Sequence, residues 1–105
     1  MAAADLTLEK GLPANVEAER FLLGSILRND SACIQIAGTL AADDFAIEKH
    51  RRIFSRMAEL FERGERIEHL TLVNELMKRG QLESVDGMSY LASLDEGLPE
   101  SINLE

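Results

Sequence analysis

The sequence predicts an all-α fold, a compact bundle of about five to six short helices with short connections. Three observations predict it. Apolar residues recur every three to four positions in five successive segments. Residues that cap or break helices separate those segments. No segment of useful length alternates apolar and polar residues with the period of two that marks a strand.

Residues 1–12 carry no sustained periodicity and read as a flexible leader, and 13–105 as one helical globular head. Pro13 restricts the approach to the first helix, and Asn15 is placed to cap it. That helix spans about 16–28, with Glu17 and Glu19 in the first turn and Val16, Leu22, Leu23, Ile26 and Leu27 at helical spacing. Gly24 lies inside it, where glycine costs about 1 kcal/mol relative to alanine. The expectation is a close helix approach that a Cβ would block. Asn29-Asp30-Ser31 forms a turn, with Ser31 as the cap of a short helix over about 32–40. Its apolar residues are Cys33, Ile34, Ile36, Ala37 and Leu40.

Asp43-Asp44 and Phe45 lead into the strongest helix, about 47–63. His50, Ile53, Phe54, Met57, Leu60 and Phe61 form one continuous stripe on it, and Gly64 follows as its terminating glycine. Thr71 is read as the cap of a fourth helix that buries Leu72, Val73, Leu76 and Met77. Lys78 and Arg79 sit in its last turn and Gly80 ends it. A fifth helix runs over about 87–95 with Met88, Tyr90, Leu91 and Leu94, and Gly97 and Pro99 stop it.

Composition bounds the function. The chain has 105 residues, 46% of them apolar, so it can build one core and is no disordered acidic tail. Eleven bases against 19 acids leave a net charge of −8, which argues against an autonomous nucleic-acid binder. One cysteine, Cys33, excludes an intrachain disulfide and a cysteine-based zinc site, the pattern of a reduced, intracellular protein. No apolar run approaches the roughly 20 residues of a membrane span, and Met1–Asp5 lacks the marks of a signal peptide. The expected setting is the cytoplasm, away from membranes.

The charge is uneven: −5 over residues 1–48, +3 over 49–66 and −6 over 67–105. The basic segment carries Lys49, Arg51, Arg52 and Arg56 on the long helix. Its first reading is a solvated helix face; its second is a docking surface for an acidic partner or for phosphates. Without interleaved aromatics, stacking on single strands has little support.

No phosphate-cradling G-x-x-x-x-G-K-[ST] loop, no G-x-G-x-x-G and no H-E-x-x-H is present. His50 lies on the apolar stripe and reads as a core histidine with satisfied hydrogen bonds, and His69 as a solvated loop residue. The acids fall on exposed faces and in turns. No residue is assigned to catalysis, to a cofactor or to a metal, and this chain by itself reads as a non-enzyme.

One ordered pattern runs through the whole head. It comprises Ala18-Glu19, Leu23-Gly24, Leu27, Asp44-Phe45, His50, Ile53-Phe54, Leu60, Gly64, Ile67, Thr71-Leu72, Leu76, Gly80, Leu82, Gly87, Tyr90-Leu91, Leu94, Pro99 and Asn103. In order and spacing it closely resembles the N-terminal domain of DnaB-type replicative DNA helicases, over about residues 13–104. Arg66-Ile67-Glu68 stands where the family often has Pro-Ile-Asp, and Asp86-Gly87 where a Gly-Gly pair is common. Asp86 is expected to cap the helix there.

The resemblance implies the head of a hexameric, ATP-driven helicase, whose helical hairpin and RecA-like motor lie outside these residues. ATP and Mg²⁺ would belong to that motor, and DNA would be engaged through it. The implied role is a collar that joins subunits and docks a DnaG-type primase, with a helicase loader as a further partner. Two alternatives stand beside it. One is a helical adaptor without a motor domain. The other is a helix-turn-helix regulator built on Thr71–Leu82. In that reading the recognition end would be Leu72-Val73-Asn74-Glu75, with the only bases, Lys78 and Arg79, at the far end.

Overall fold

The computed structural model describes residues 16–96. The expected leader, Pro13, Asn15, Gly97, Pro99 and Asn103 lie outside the described residues. Five α-helices follow one another: α1 (Val16–Arg28), α2 (Ala32–Ala37), α3 (Glu48–Glu62), α4 (His69–Lys78) and α5 (Gly87–Ser93). Short 3₁₀ turns at Ala42–Asp44 and Glu83–Val85 link them, and no strand forms among the described residues.

Helix α3 organises the domain. It packs against α1, α2, α4 and both 3₁₀ turns, while α4 packs against α5. Its stripe inserts His50, Ile53, Phe54, Met57 and Leu60 into the core. Leu23 and Ile26 from α1, Leu72 and Leu76 from α4 and Leu91 from α5 meet them with no exposed surface. Each such aliphatic contributes roughly 1.5–3 kcal/mol by leaving water. Phe45, just before α3, closes one end with its ring 5.1 Å from that of Phe54. Cys33 is fully buried; burial and the neighbouring Asp30 carboxylate push its thiol pKa up. Gly24 lies in the buried stretch of α1.

Helices α3 and α4 end on the same device. The Gly64 amide donates to Phe61 O and the Glu65 amide to Leu60 O, at 3.0 and 2.9 Å. The Gly80 amide donates to Met77 O and the Gln81 amide to Leu76 O, at 3.0 and 2.8 Å. This paired pattern requires a left-handed residue after the helix. Gly64 and Gly80 supply it, with φ of 77° and 65°.

Several local expectations are corrected. Thr71 is not the cap of α4, which starts earlier, with Glu68 in the cap position. The Thr71 hydroxyl instead accepts from the Glu68 amide at 3.1 Å and donates to Arg66 O at 2.8 Å, fastening the helix start from inside. Ser31 makes no side-chain cap, because its amide and hydroxyl both donate to Asn29 Oδ1. Asp86 precedes α5 with φ 70° and also forms no side-chain cap. Its carboxylate is taken by Lys49.

Helix α2 stops at Ala37, and it buries Cys33 and Ile36 while Ile34 stays outside. Val16, Met77 and Met88, expected in apolar faces, are exposed. Phe61 keeps 39% exposure because the stripe runs past the end of the core at the last turn of α3.

Candidate functional site

Two polar regions gather on α3. The first is a buried chain of hydrogen bonds across three helices. His50 has no exposed surface. Its Nδ1 lies 2.8 Å from Glu19 Oε1 on α1, and its Nε2 lies 2.6 Å from the Tyr90 hydroxyl on α5. A carboxylate only accepts, so Nδ1 carries the proton and Nε2 accepts from the phenol. Glu19 also accepts the Ala46 amide at 2.7 Å and the Ile47 amide at 3.4 Å, which fixes the start of α3. Burial lowers the His50 pKa, and the Glu19 contact opposes that shift without overcoming it.

Cations frame this chain. Arg20 lies over the Tyr90 ring at 5.1 Å and donates to Ser93 O at 3.2 Å. Lys49 lies over the same ring at 3.8 Å while pairing with Asp86 at 2.7 Å. The arrangement resembles a proton relay in composition only. With His50 sealed, no substrate atom reaches its nitrogens unless the helices part, so the chain's present work is to lock α1, α3 and α5 together.

The second region is the basic segment. Lys49 turns to Asp86 and Tyr90. Arg51 donates to Phe45 O at 2.8 Å and Ala46 O at 3.2 Å. Arg52 pairs with Glu48, one turn earlier. Arg56 pairs with Glu59 at 3.1 Å, its side chain 11% exposed. Lys49, Arg52 and Arg56 share one side of α3, whereas Arg51, two positions from Lys49, faces elsewhere. The four do not form one continuous open face, and acids or carbonyls of the domain already engage each of them.

Sequence reasoning missed the partners of His50, because Glu19 and Tyr90 are 31 and 40 residues away. It also missed Glu75, which is buried on α4 and clasped by both Arg63 guanidinium ends at 2.9 and 3.2 Å. That clasp holds the Glu75 carboxyl below the usual range and raises the Arg63 pKa. The available signal was positional: residues 72, 75 and 76 share a helix face. His69 lies at α4's start, Nε2 3.2 Å from Asp95 Oδ1, far in sequence from His50. Among the described residues no group of three or more potential metal ligands forms.

The family model for the "DnaB-like helicase N terminal domain" matches residues 11–105. The chain belongs to this family.

A DnaB-type head domain accounts for the α3-centred bundle. The chain is 36% identical over 101 residues to the replicative DNA helicase DnaC of Bacillus subtilis, covering 96% of this chain and 22% of that protein. It is 39% identical over 93 residues to the replicative DNA helicase DnaB of Treponema pallidum, covering 89% of this chain and 21% of that protein. The chain therefore spans about a fifth of the length of the curated relatives it matches. The crystal structure of the N-terminal domain of DnaB helicase from Mycobacterium tuberculosis superposes with a TM-score of 0.80 at 30% identity, covering 83% of this chain and 60% of that one. Membership displaces the helix-turn-helix reading of Thr71–Leu82. Among the described residues, no helix is long and apolar enough to cross a membrane.

Proposed function

We propose that this chain is the collar head of a hexameric replicative DNA helicase, joining subunits and docking a DnaG-type primase. The observation that carries the reading is the family match over residues 11–105. In this reading ATP hydrolysis, Mg²⁺ and duplex unwinding belong to a RecA-like motor outside the head, and a helicase loader is a further partner. The head does no bond chemistry. A core sealed around α3 and locked by the Glu19–His50–Tyr90 chain gives it the stiffness to hold helix faces toward neighbours. In this reading the setting is cytoplasmic.

The test is calorimetric titration of the head with the helicase-binding C-terminal domain of a DnaG-type primase. Saturable binding is expected. Its absence at submillimolar concentration removes the docking role. Charge reversal at Arg52 and Arg56 weakens that binding if the basic side of α3 is the docking face. Unchanged affinity returns Lys49, Arg51, Arg52 and Arg56 to purely internal pairing.

A further inference from the structure

Helix α5 is held to the head more by polar contacts than by buried side chains. Leu91 is the buried residue among its seven, with Leu94 at its C-terminal end. Polar contacts to three helices fasten the rest. Asp86, at its foot, pairs with Lys49 of α3. The Tyr90 hydroxyl donates to His50 of α3, and Arg20 of α1 donates to the Ser93 carbonyl and hydroxyl oxygens at 3.2 and 3.4 Å. Asp95, just beyond, meets Arg28 of α1 at 3.7 Å and His69 of α4 at 3.2 Å. Both histidines of the sequence therefore bear on α5.

We propose that α5 is a releasable flap, freed when His50 takes up a proton while α1, α3 and α4 stay packed. The two ring nitrogens decide the direction. Nδ1 already donates to Glu19, so a positive ring pairs more strongly with that carboxylate and tightens α1 against α3. Nε2 accepts from Tyr90, and a protonated Nε2 can no longer take the phenol proton. The charged groups facing His50 add to the bias. Glu19 and Arg20 come from α1, Lys49 from its own helix and Tyr90 from α5, with Asp86 reached through Lys49. A charged ring thus joins two cations that already lie over the Tyr90 ring, and like charges there repel. Swinging α5 away lets water reach the imidazolium and leaves the Glu19 pair intact.

The sign follows from that geometry. Burial holds the His50 pKa down while α5 is docked, and release removes the burial. The docked form is complete above the ordinary value of 6.5 and is lost as pH falls toward the lowered one. His69 acts in the opposite sense, because only its protonated form is an ion partner for Asp95. Its side chain is 42% exposed, so that hold is weak.

Tyr90 is the sole tyrosine of a chain without tryptophan, so near-ultraviolet circular dichroism of the full chain reports on α5 directly. As pH falls from 7.5 to 5.5, the tyrosine signal is expected to collapse while the far-ultraviolet helix signal loses no more than the share of α5. Hydrogen exchange, corrected for its intrinsic pH dependence, is expected to lose protection severalfold over residues 87–93 and to keep it over α3. Glu19→Gln is expected to move the step to lower pH, since it removes the anion that favours the charged ring. Lys49→Met is expected to move it to higher pH, since it removes a facing cation and the partner of Asp86. His50→Asn is expected to abolish it; should that variant not fold, the opposite shifts of the other two carry the test. A tyrosine signal flat over this range overturns the proposal. Loss of protection in α3 together with α5 also overturns it, because that is ordinary unfolding. So do a step that survives His50→Asn or vanishes in His69→Gln, and shifts in Glu19→Gln and Lys49→Met that are absent or reversed. None of these outcomes bears on primase docking.

Discussion

His50 sits where a stripe of apolar side chains would accept a leucine, yet both of its ring nitrogens are used. Removing one member of such a buried chain strands the others, at about 1–3 kcal/mol for each unpaired group. His50→Ala is expected to destabilise the head by about 2–4 kcal/mol, cavity and stranded partners together, as read by urea unfolding. Glu19→Gln should cost less, and the double variant less than the sum, because the residues share one network. The same residue sets a pH window. Its pKa is lowered in the folded state, so below its ordinary value of 6.5 the unfolded chain binds the proton more readily. Stability is full above that value and falls as pH drops from it toward the lowered folded value. Glu75, whose pKa is lowered from 4.5, adds a second loss at more acid pH, as its folded value is crossed. Melting temperatures should therefore decline between pH 7.5 and 5.5 in the wild type, and His50→Asn should flatten that decline; an unchanged slope would refute the assignment.

Elements were legible where one rule decided them. The period of α3 marks its buried face because 15 residues give the pattern four turns to repeat. Gly64 and Gly80 mark the ends of α3 and α4 because only a residue free to take positive φ completes the paired hydrogen bonds. Gly80→Ala should cost about 1–2 kcal/mol by that conformational penalty alone, since a Cβ there meets nothing within 4 Å. A melting temperature equal to the wild type would show that the turn rearranges. Edges were less legible. Thr71 has the side chain of a cap but works from the third position, because the chain turns into the helix at Glu68. Met77 and Met88 carry core-type side chains outward, and periodicity cannot tell an inward face from one presented to another molecule.

At the scale of the whole molecule, family and fold were readable because many weak signals kept register over the head. The geometry of the basic segment was not. Its charges looked like one field in the sequence, but Glu48, Glu59 and Asp86 pair with Arg52, Arg56 and Lys49 in the fold. What remains outside is the field of a −8 chain. The head alone should bind duplex DNA negligibly at physiological salt, and a tight, salt-sensitive gel shift would contradict this. It should also release no phosphate from ATP, since the sequence carries no phosphate-cradling loop; measurable turnover by the pure chain would contradict this prediction.

Cys33 gives the protein a built-in clock. The lone thiol is sealed beneath α2, and its raised pKa keeps it in the unreactive protonated form. A thiol reagent can modify it only during excursions that lift α2 from α1 and α3. The labelling rate then counts those openings, and comparing it with the rate of an unstructured thiol converts them into a local free energy. Because the chain has one cysteine, that reading comes from a single place without any engineered probe. Repeating it with a docked partner would show whether docking quiets the interior or loosens it.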